Sequence, residues 1–171
     1  MVKKSKYKIF LSILARQIPW LSSFLLLILS FVSYPIFNTK PTLVLIPIFF
    51  WAMHKTPSFD FIFVMLFGFI QDFMDGTQFG FNIFIFLSIY FIVYYQKFFP
   101  LDSSFAFSYL AFASTSLILL FIKYIIISDF FVANIAFFNI MISWAMLVLS
   151  YPLLYWLLQQ LNIYIVERYS L

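Results

Sequence analysis

The sequence predicts an all-α integral membrane protein, a single domain built as a bundle of about six transmembrane helices. The chain of 171 residues is 65% hydrophobic and only 9% charged, whereas soluble domains are about 45–50% apolar and roughly 25% charged. Its mean hydropathy is +1.05. Polar or proline-containing breaks divide it into six apolar runs. A helix crosses lipid singly with its backbone hydrogen bonds satisfied, so each run is predicted to be helical.

The runs give six predicted spans, which are 17–37, 41–53, 58–74, 80–96, 104–127 and 133–160. A hydrocarbon layer of about 30 Å needs roughly 20 helical residues. The first span follows a basic segment and lacks a small-residue cleavage site, so it is interpreted as uncleaved. The second and third spans are short, and Lys55 and Pro57 prevent their merger. They either cross a thin or protein-buried zone, which we favour, or form a re-entrant hairpin.

Prolines punctuate the runs in two ways. Five lie at span boundaries and are interpreted as stops: Pro19, Pro35, Pro41, Pro57 and Pro100. Pro47 and Pro152 lie inside runs. Each of these two is predicted to kink its helix and to free a carbonyl, because proline lacks the N–H that an interior helical turn requires.

Basic residues predict the orientation of the chain. With the N-terminus in the cytoplasm, only Lys40 and Lys123 fall outside. The other eight basic residues fall inside: Lys3, Lys4, Lys6, Lys8, Arg16, Lys55, Lys97 and Arg168. This asymmetry satisfies the positive-inside rule and predicts that both termini are cytoplasmic. The net charge of +4 is therefore interpreted as orienting the chain, and we expect no nucleic-acid binding.

Few residues offer chemistry. The chain has no cysteine, which excludes disulfides, thiolate metal sites and cysteine nucleophiles. The single histidine, His54, lies beside Lys55 in a predicted cytoplasmic loop without acidic neighbours at ligand spacing. No nucleophile elbow, zinc-protease motif or phosphate-binding glycine loop is present in the sequence. We therefore expect no enzyme activity, cofactor or metal.

The segment from Gly68 to Asn82 contains all three glycines of the chain. Gly68, Asp72, Gly76 and Gly80 recur every four residues, a spacing that aligns side chains on one face of a helix. Small residues on such a face allow another helix to approach closely. Asp75-Gly76 is a turn dipeptide, so the third span is predicted to end there and Gly80 to open the fourth.

Asp72 needs a reason to lie at the end of an apolar run, since a carboxylate at the centre of a span costs about 2.5–3.5 kcal/mol. We expect it to accept hydrogen bonds from backbone amides of the 75–80 turn, or from one of three side chains: Gln71, Gln78 or Asn82. Contact with a partner helix is the alternative. A cation site with Asp75 lacks further oxygen ligands nearby. Lys123 either pairs with Asp129 or extends to water.

The order of these features resembles the rod shape-determining protein MreD family. The resemblance consists of Pro41-Thr-Leu-Val-Leu, Trp51 before a basic loop ending at Pro57, and the two pieces Gly68-x-x-x-Asp72 and Gly76-x-x-x-Gly80. It is densest over residues 41–95, about a third of the chain. The resemblance implies six structural or partner-contact positions, which are Pro41, Pro57, Gly68, Asp72, Gly76 and Gly80.

This resemblance implies a non-catalytic scaffold subunit of the bacterial inner membrane that maintains cell shape as part of the cell-elongation complex for peptidoglycan synthesis. The implied partner is MreC and, through it, the actin-like MreB filament and the glycosyltransferase RodA with its transpeptidase.

The fold implied is similar to the S component of energy-coupling-factor transporters. A substrate-binding subunit of a vitamin transporter is therefore the alternative function, and it would need a polar pocket. The candidate residues for that pocket are Asn134, Asn139, Ser143 and Trp144. A membrane enzyme would need a convergent acid, base or nucleophile, which Asp72 and Asp75 alone do not provide.

Overall fold

The computed structural model describes the backbone of residues 2–31, 41–56, 58–76, 79–95, 104–131 and 137–163, and their side chains except those of 2–15, 126–131 and 137. Six α-helices and no strand are present in these ranges. They are α1 (Val2–Ser30), α2 (Leu45–Met53), α3 (Phe61–Asp75), α4 (Phe81–Tyr95), α5 (Phe105–Phe131) and α6 (Phe137–Leu161). The all-helical class is confirmed for the described residues.

Within the described ranges, two helical segments are long and apolar enough to cross a membrane, Phe105–Ile125 and Phe138–Leu161. Only 22% of the most apolar stretch of each is buried by the rest of the protein. A core helix of a soluble protein would be mostly buried. Helix α4 is also apolar but has only 15 residues.

The short helix α2 lies at the centre of the fold. All nine of its residues are buried, and it contacts α1, α4, α5 and α6. Its length of about 14 Å is roughly half of a hydrocarbon layer. Trp51 Nε1 donates to Ser22 Oγ of α1 at 3.1 Å, and the N–H of Val44, the N-cap residue of α2, donates to Ser30 Oγ at 3.2 Å.

Pro19 does not stop a helix, so that prediction is wrong. It lies inside α1, which begins at Val2 and continues to Ser30. The Pro19 carbonyl accepts from Ser22 Oγ at 3.1 Å and from Ser23 Oγ at 2.8 Å. Both are the i−3 and i−4 contacts that serine side chains commonly make inside helices.

The kink predicted at Pro47 is also wrong. Pro47 is the third residue of α2, in the first turn, where N–H groups have no intrahelical partner and a missing one costs nothing. The carbonyl of Leu43 is not left free, because it accepts from Ile46 N–H at 3.1 Å. Pro152 does lie inside α6. Pro41 is buried immediately before the turn into α2, whereas Pro35, Pro57 and Pro100 lie outside the described residues.

A tight turn ends α2 and leads to α3. His54 is the C-cap of α2, and its ring Nδ1 lies 2.8 Å from the Phe50 carbonyl oxygen. Lys55 adopts a left-handed φ of +47°, and its N–H donates to the Ala52 carbonyl at 3.2 Å. The Asp60 carboxylate then caps α3 by accepting from Phe61 N–H at 2.7 Å. The predicted loop histidine therefore has a local structural contact at the end of α2.

The aromatic core, as we call the cluster of Phe49, Phe50, Phe112, Tyr151 and Tyr155, connects α2, α5 and α6. The rings of Phe112 and Tyr151 stack at 4.4 Å between centroids, and Phe49 meets Phe112 edge-on at 5.3 Å. The Tyr151 hydroxyl hydrogen-bonds Ser108 Oγ at 2.7 Å. A fully buried tyrosine is therefore supplied with a polar partner.

The outward faces of the helices are apolar. Leu149 on α6 is 76% exposed, and Phe73 and Phe79 beside the α3–α4 turn are each 70% exposed. Many more large apolar side chains are exposed along α1, α3, α4 and α5. Soluble monomers rarely expose apolar patches larger than a few hundred Å².

Candidate functional site: the turn between α3 and α4

Two glycines shape the turn through their backbone conformation. Helix α3 ends at Asp75, and Gly76 follows with a left-handed φ of +65° while its N–H donates to the Asp72 carbonyl. Gly80 has φ +100°, and its carbonyl accepts from Phe84 N–H at 2.9 Å as α4 begins. L-residues rarely adopt such angles. The predictions that α3 ends at Asp75-Gly76 and that Gly80 opens the next helix are confirmed.

The Asp72 carboxylate caps the start of α4. It is fully buried. One oxygen accepts from Gly80 N–H at 2.8 Å, and the other accepts from Asn82 N–H at 2.7 Å. The first amides of a helix have no intrahelical partner and carry partial positive charge. The predicted acceptor role is confirmed, and the N-terminus of α4 compensates the unfavourable position of Asp72 at the end of α3.

Asp75 belongs to a polar cluster that we define as Gln71, Asp72, Asp75, Asn82 and Lys123. Gln71 Nε2 lies 3.0 Å from each carboxylate oxygen of Asp75. Lys123, on α5, donates to Asn82 Oδ1 at 3.0 Å and lies 3.9 Å from Asp75 Oδ2. The polar cluster thus connects three helices at the turn.

Lys123 is the member of the polar cluster that was not predicted to lie there from the sequence. Its side chain is 17% exposed, and its ammonium also lies 6.0 Å from the Phe81 ring centroid. The side chain of Asp129, its predicted partner, lies outside the described part of the chain. A cation in an apolar helix needs a nearby opposite charge. In the structure, Asp75 supplies that charge.

Gln71 is oriented by the carboxylate it contacts. If its amide were reversed, its carbonyl oxygen would face the oxygens of Asp75, which accept hydrogen bonds and do not donate them. In the observed orientation, Gln71 Oε1 is buried and has no hydrogen-bond partner among the described residues. One acceptor of the polar cluster is therefore unpaired within the described residues.

Gly68 has a different role from the glycines of the turn. A Cβ atom added to it would lie 2.5 Å from Ile83 Cα and 2.7 Å from Ile83 N on α4. Added to Gly76 or Gly80, it would meet nothing within 4 Å. The close-packing face that we predicted for another helix is therefore occupied at Gly68 by α4 of the same chain.

The geometry of the polar cluster is structural. Both oxygens of Asp72 accept backbone amides, and both oxygens of Asp75 accept from Gln71. The described side chains include no group of three or more His, Cys, Asp or Glu residues placed to hold a metal ion. The arrangement therefore fixes the turn against α5 through carboxylates whose oxygens already accept hydrogen bonds.

The residues proposed for a vitamin pocket are only partly within the described chain. Trp144 Nε1 donates to the Ala113 carbonyl of α5 at 3.3 Å, so this donor connects two helices. Asn139 and Ser143 are half-buried, and Asn134 lies outside the described residues.

No family model, curated protein or solved structure matches this chain. Its function is therefore argued from the residues and from the geometry of the turn.

Proposed function

We propose that this chain is a non-catalytic scaffold subunit of the bacterial inner membrane, acting in the cell-elongation complex as its resemblance to the MreD family implies. One observation carries the proposal. Gly68, Asp72, Gly76 and Gly80 are all used to build the protein's own backbone geometry, through close packing at Gly68, capping at Asp72 and positive φ at the other two. Residues used in this way stabilise the fold, which suits a protein whose role is to present a surface to partner proteins.

The proposal places the helices in the membrane as a multi-pass bundle with a cytoplasmic N-terminus. The two long apolar segments in α5 and α6 and the exposed apolar side chains on most of the helices support this placement, because lipid covers such faces at no cost. The cytoplasmic position of the N-terminus is supported by the basic residues of α1, which are Lys3, Lys4, Lys6, Lys8 and Arg16.

The partner is proposed to dock beside the α3–α4 turn. Phe69, Phe73 and Phe79 are exposed there, and the rings of Phe69 and Phe79 stack at 5.7 Å between centroids. Large, rigid aromatic side chains are enriched in the energetically dominant part of protein interfaces. The polar cluster fixes the turn that carries Phe79, so the surface is pre-organised for the membrane helix of MreC.

In-cell photocrosslinking tests this assignment. A photoreactive amino acid replaces Phe73 or Phe79 in one pair of variants and Leu149 on α6 in a control, since all three side chains are highly exposed. We expect MreC to be captured from Phe73 and Phe79, and lipid alone from Leu149.

Equal capture from all three positions would contradict docking at the turn. If none of them captures a component of the elongation complex and cells retain rod shape without the protein, the scaffold proposal is wrong. A vitamin that co-purifies at one molecule per chain would favour the transporter alternative.

A further inference from the structure

A cleft lies between α1 and α3, on the side of the fold away from the α3–α4 turn. It is lined by Arg16, Gln17, Trp20, Ser58 and Phe63, and its volume is about 350 Å³. This volume falls within the roughly 300–1,000 Å³ of small-ligand sites. The lining combines three polar side chains with two aromatic rings, which meet edge-on at 6.4 Å between centroids.

The polar side chains of the cleft have no partner within the described chain. Arg16 makes no ion pair there, since the described ion pair is that of Lys123 with Asp75. The Asp60 carboxylate accepts from the backbone of α3 and does not line the cleft. A planar guanidinium with five donors suits a phosphate group.

The cleft lies where two apolar segments begin. The first predicted span starts at residue 17, next to Arg16, and α3 starts at Phe61, just after Ser58. In a membrane, such boundaries lie at the headgroup layer, where tryptophan also prefers to be. The backbone of α1 extends to Val2, so Lys3, Lys4, Lys6 and Lys8 belong to the same helix on the cytoplasmic side of Arg16.

We propose that this cleft binds the headgroup of an anionic phospholipid, with the Arg16 guanidinium on the phosphate and Trp20 and Phe63 against the start of the acyl chains. Basic clefts between helices on the cytoplasmic side, and basic clusters adjoining a span, are features that recognise anionic lipids. The inference depends on the membrane placement proposed above and not on the identity of the protein partner.

Native mass spectrometry of the purified full-length protein in detergent tests the site, with phosphatidylglycerol and phosphatidylcholine as the two added lipids. We expect the first phosphatidylglycerol to bind more tightly than phosphatidylcholine. The Arg16→Gln variant should weaken that first binding about fivefold, the effect of one basic side chain at an anionic membrane surface. Arg16→Lys should have a smaller effect because it keeps the charge but loses the planar donor pair.

Lys55→Gln is the matched control, since Lys55 is exposed, carries the same charge and does not line the cleft. Its phosphatidylglycerol affinity should equal that of the unaltered protein. An unchanged affinity in Arg16→Gln, with helical content preserved by circular dichroism, would overturn the proposal, and so would an equal loss in Lys55→Gln. Displacement of the lipid by an equal concentration of inorganic phosphate would instead identify a site for free anions.

The scaffold function and the lipid site can fail independently of each other. A protein that captures MreC at Phe79 but shows no lipid preference retains the scaffold function and loses this site. A protein that prefers phosphatidylglycerol but captures no elongation component retains the site and loses the scaffold assignment.

Discussion

The polar cluster at the α3–α4 turn and the aromatic core each contain a fully buried polar residue, Asp72 and Tyr151, but they are stabilised in different ways. The turn depends on a few polar and backbone contacts, such as the two amides that donate to the buried Asp72 carboxylate. The aromatic core depends on many ring contacts, with Tyr151 packed against Phe49, Phe112 and Tyr155. Removal of the carboxylate leaves its amide donors without an acceptor. Apolar contacts, in contrast, are numerous and individually weak.

This difference predicts which substitutions each region tolerates. In the turn, removal of a carboxylate leaves its hydrogen-bond donors unpaired in apolar surroundings, which lowers the free energy of unfolding. In the aromatic core, a substitution that keeps volume loses only a small part of the packing energy. Substitutions in the turn should therefore be more destabilising than conservative ones in the core.

The largest effect is expected for Asp72→Ala. The substitution leaves Gly80 N–H and Asn82 N–H without their acceptor, and each charge-assisted hydrogen bond contributes about 1.5–3 kcal/mol. We expect the free energy of unfolding to fall by about 3–5 kcal/mol. Titration of the detergent-solubilised protein with sodium dodecyl sulfate, followed by circular dichroism, measures this change.

Asp60→Ala is the matched control for Asp72→Ala. Asp60 also accepts from a helix N-terminal amide, at 2.7 Å, but its side chain is exposed. Loss of an exposed cap typically costs about 1 kcal/mol. Equal losses in the two variants would mean that burial does not strengthen the Asp72 cap, and the contrast between the turn and the rest of the molecule would fail.

A smaller loss is expected for Gly68→Ala. Alanine at an exposed helical position is about 1 kcal/mol more favourable than glycine, but here the added methyl group meets the backbone of Ile83 at 2.5 Å. Helices α3 and α4 must then separate, and overpacking of this kind costs about 1–3 kcal/mol. The same unfolding titration should show a destabilised variant.

Ser114→Thr on α5 also adds one methyl group, but at an exposed position, and should leave stability within about 0.5 kcal/mol. If Gly68→Ala instead stabilises the protein, the close approach of α3 and α4 is wrong. The result would also restore the possibility that Gly68 faces another chain.

The two regions also differ in how far the sequence could predict them. At the turn, Asp75-Gly76 marked the end of α3, and Asp72 in an apolar run demanded nearby donors, so the turn and its acceptor were predictable. Lys123 was not predicted to belong to the polar cluster. It lies 41 positions after Asn82 in the chain, and only the tertiary packing of α5 brings the two residues together.

The aromatic core was not predictable from the sequence. With 27 phenylalanines in 171 residues, Phe49 is fully buried while Phe84 is 59% exposed, and both stand in apolar stretches of the chain. Lipid-facing and buried positions accept the same side chains, so periodicity carries little information. The predicted kink at Pro47 was wrong for a related reason. The effect of a proline depends on where its helix begins, and α2 begins at Leu45, so that Pro47 lies in its first turn.

The smallest effect is expected in the aromatic core itself, for Tyr151→Phe. The ring and its stacking on Phe112 remain, and the loss is the hydrogen bond to Ser108 Oγ, worth about 1 kcal/mol. Ser108→Ala alone should cost more, because it leaves the buried Tyr151 hydroxyl unpaired. The double variant should then be more stable than the sum of the single effects predicts, since both polar groups are gone. Additive losses in the unfolding titration would show that the two hydroxyl groups do not pair, and a loss as large as that of Asp72→Ala would show that the core depends on individual contacts as much as the turn does.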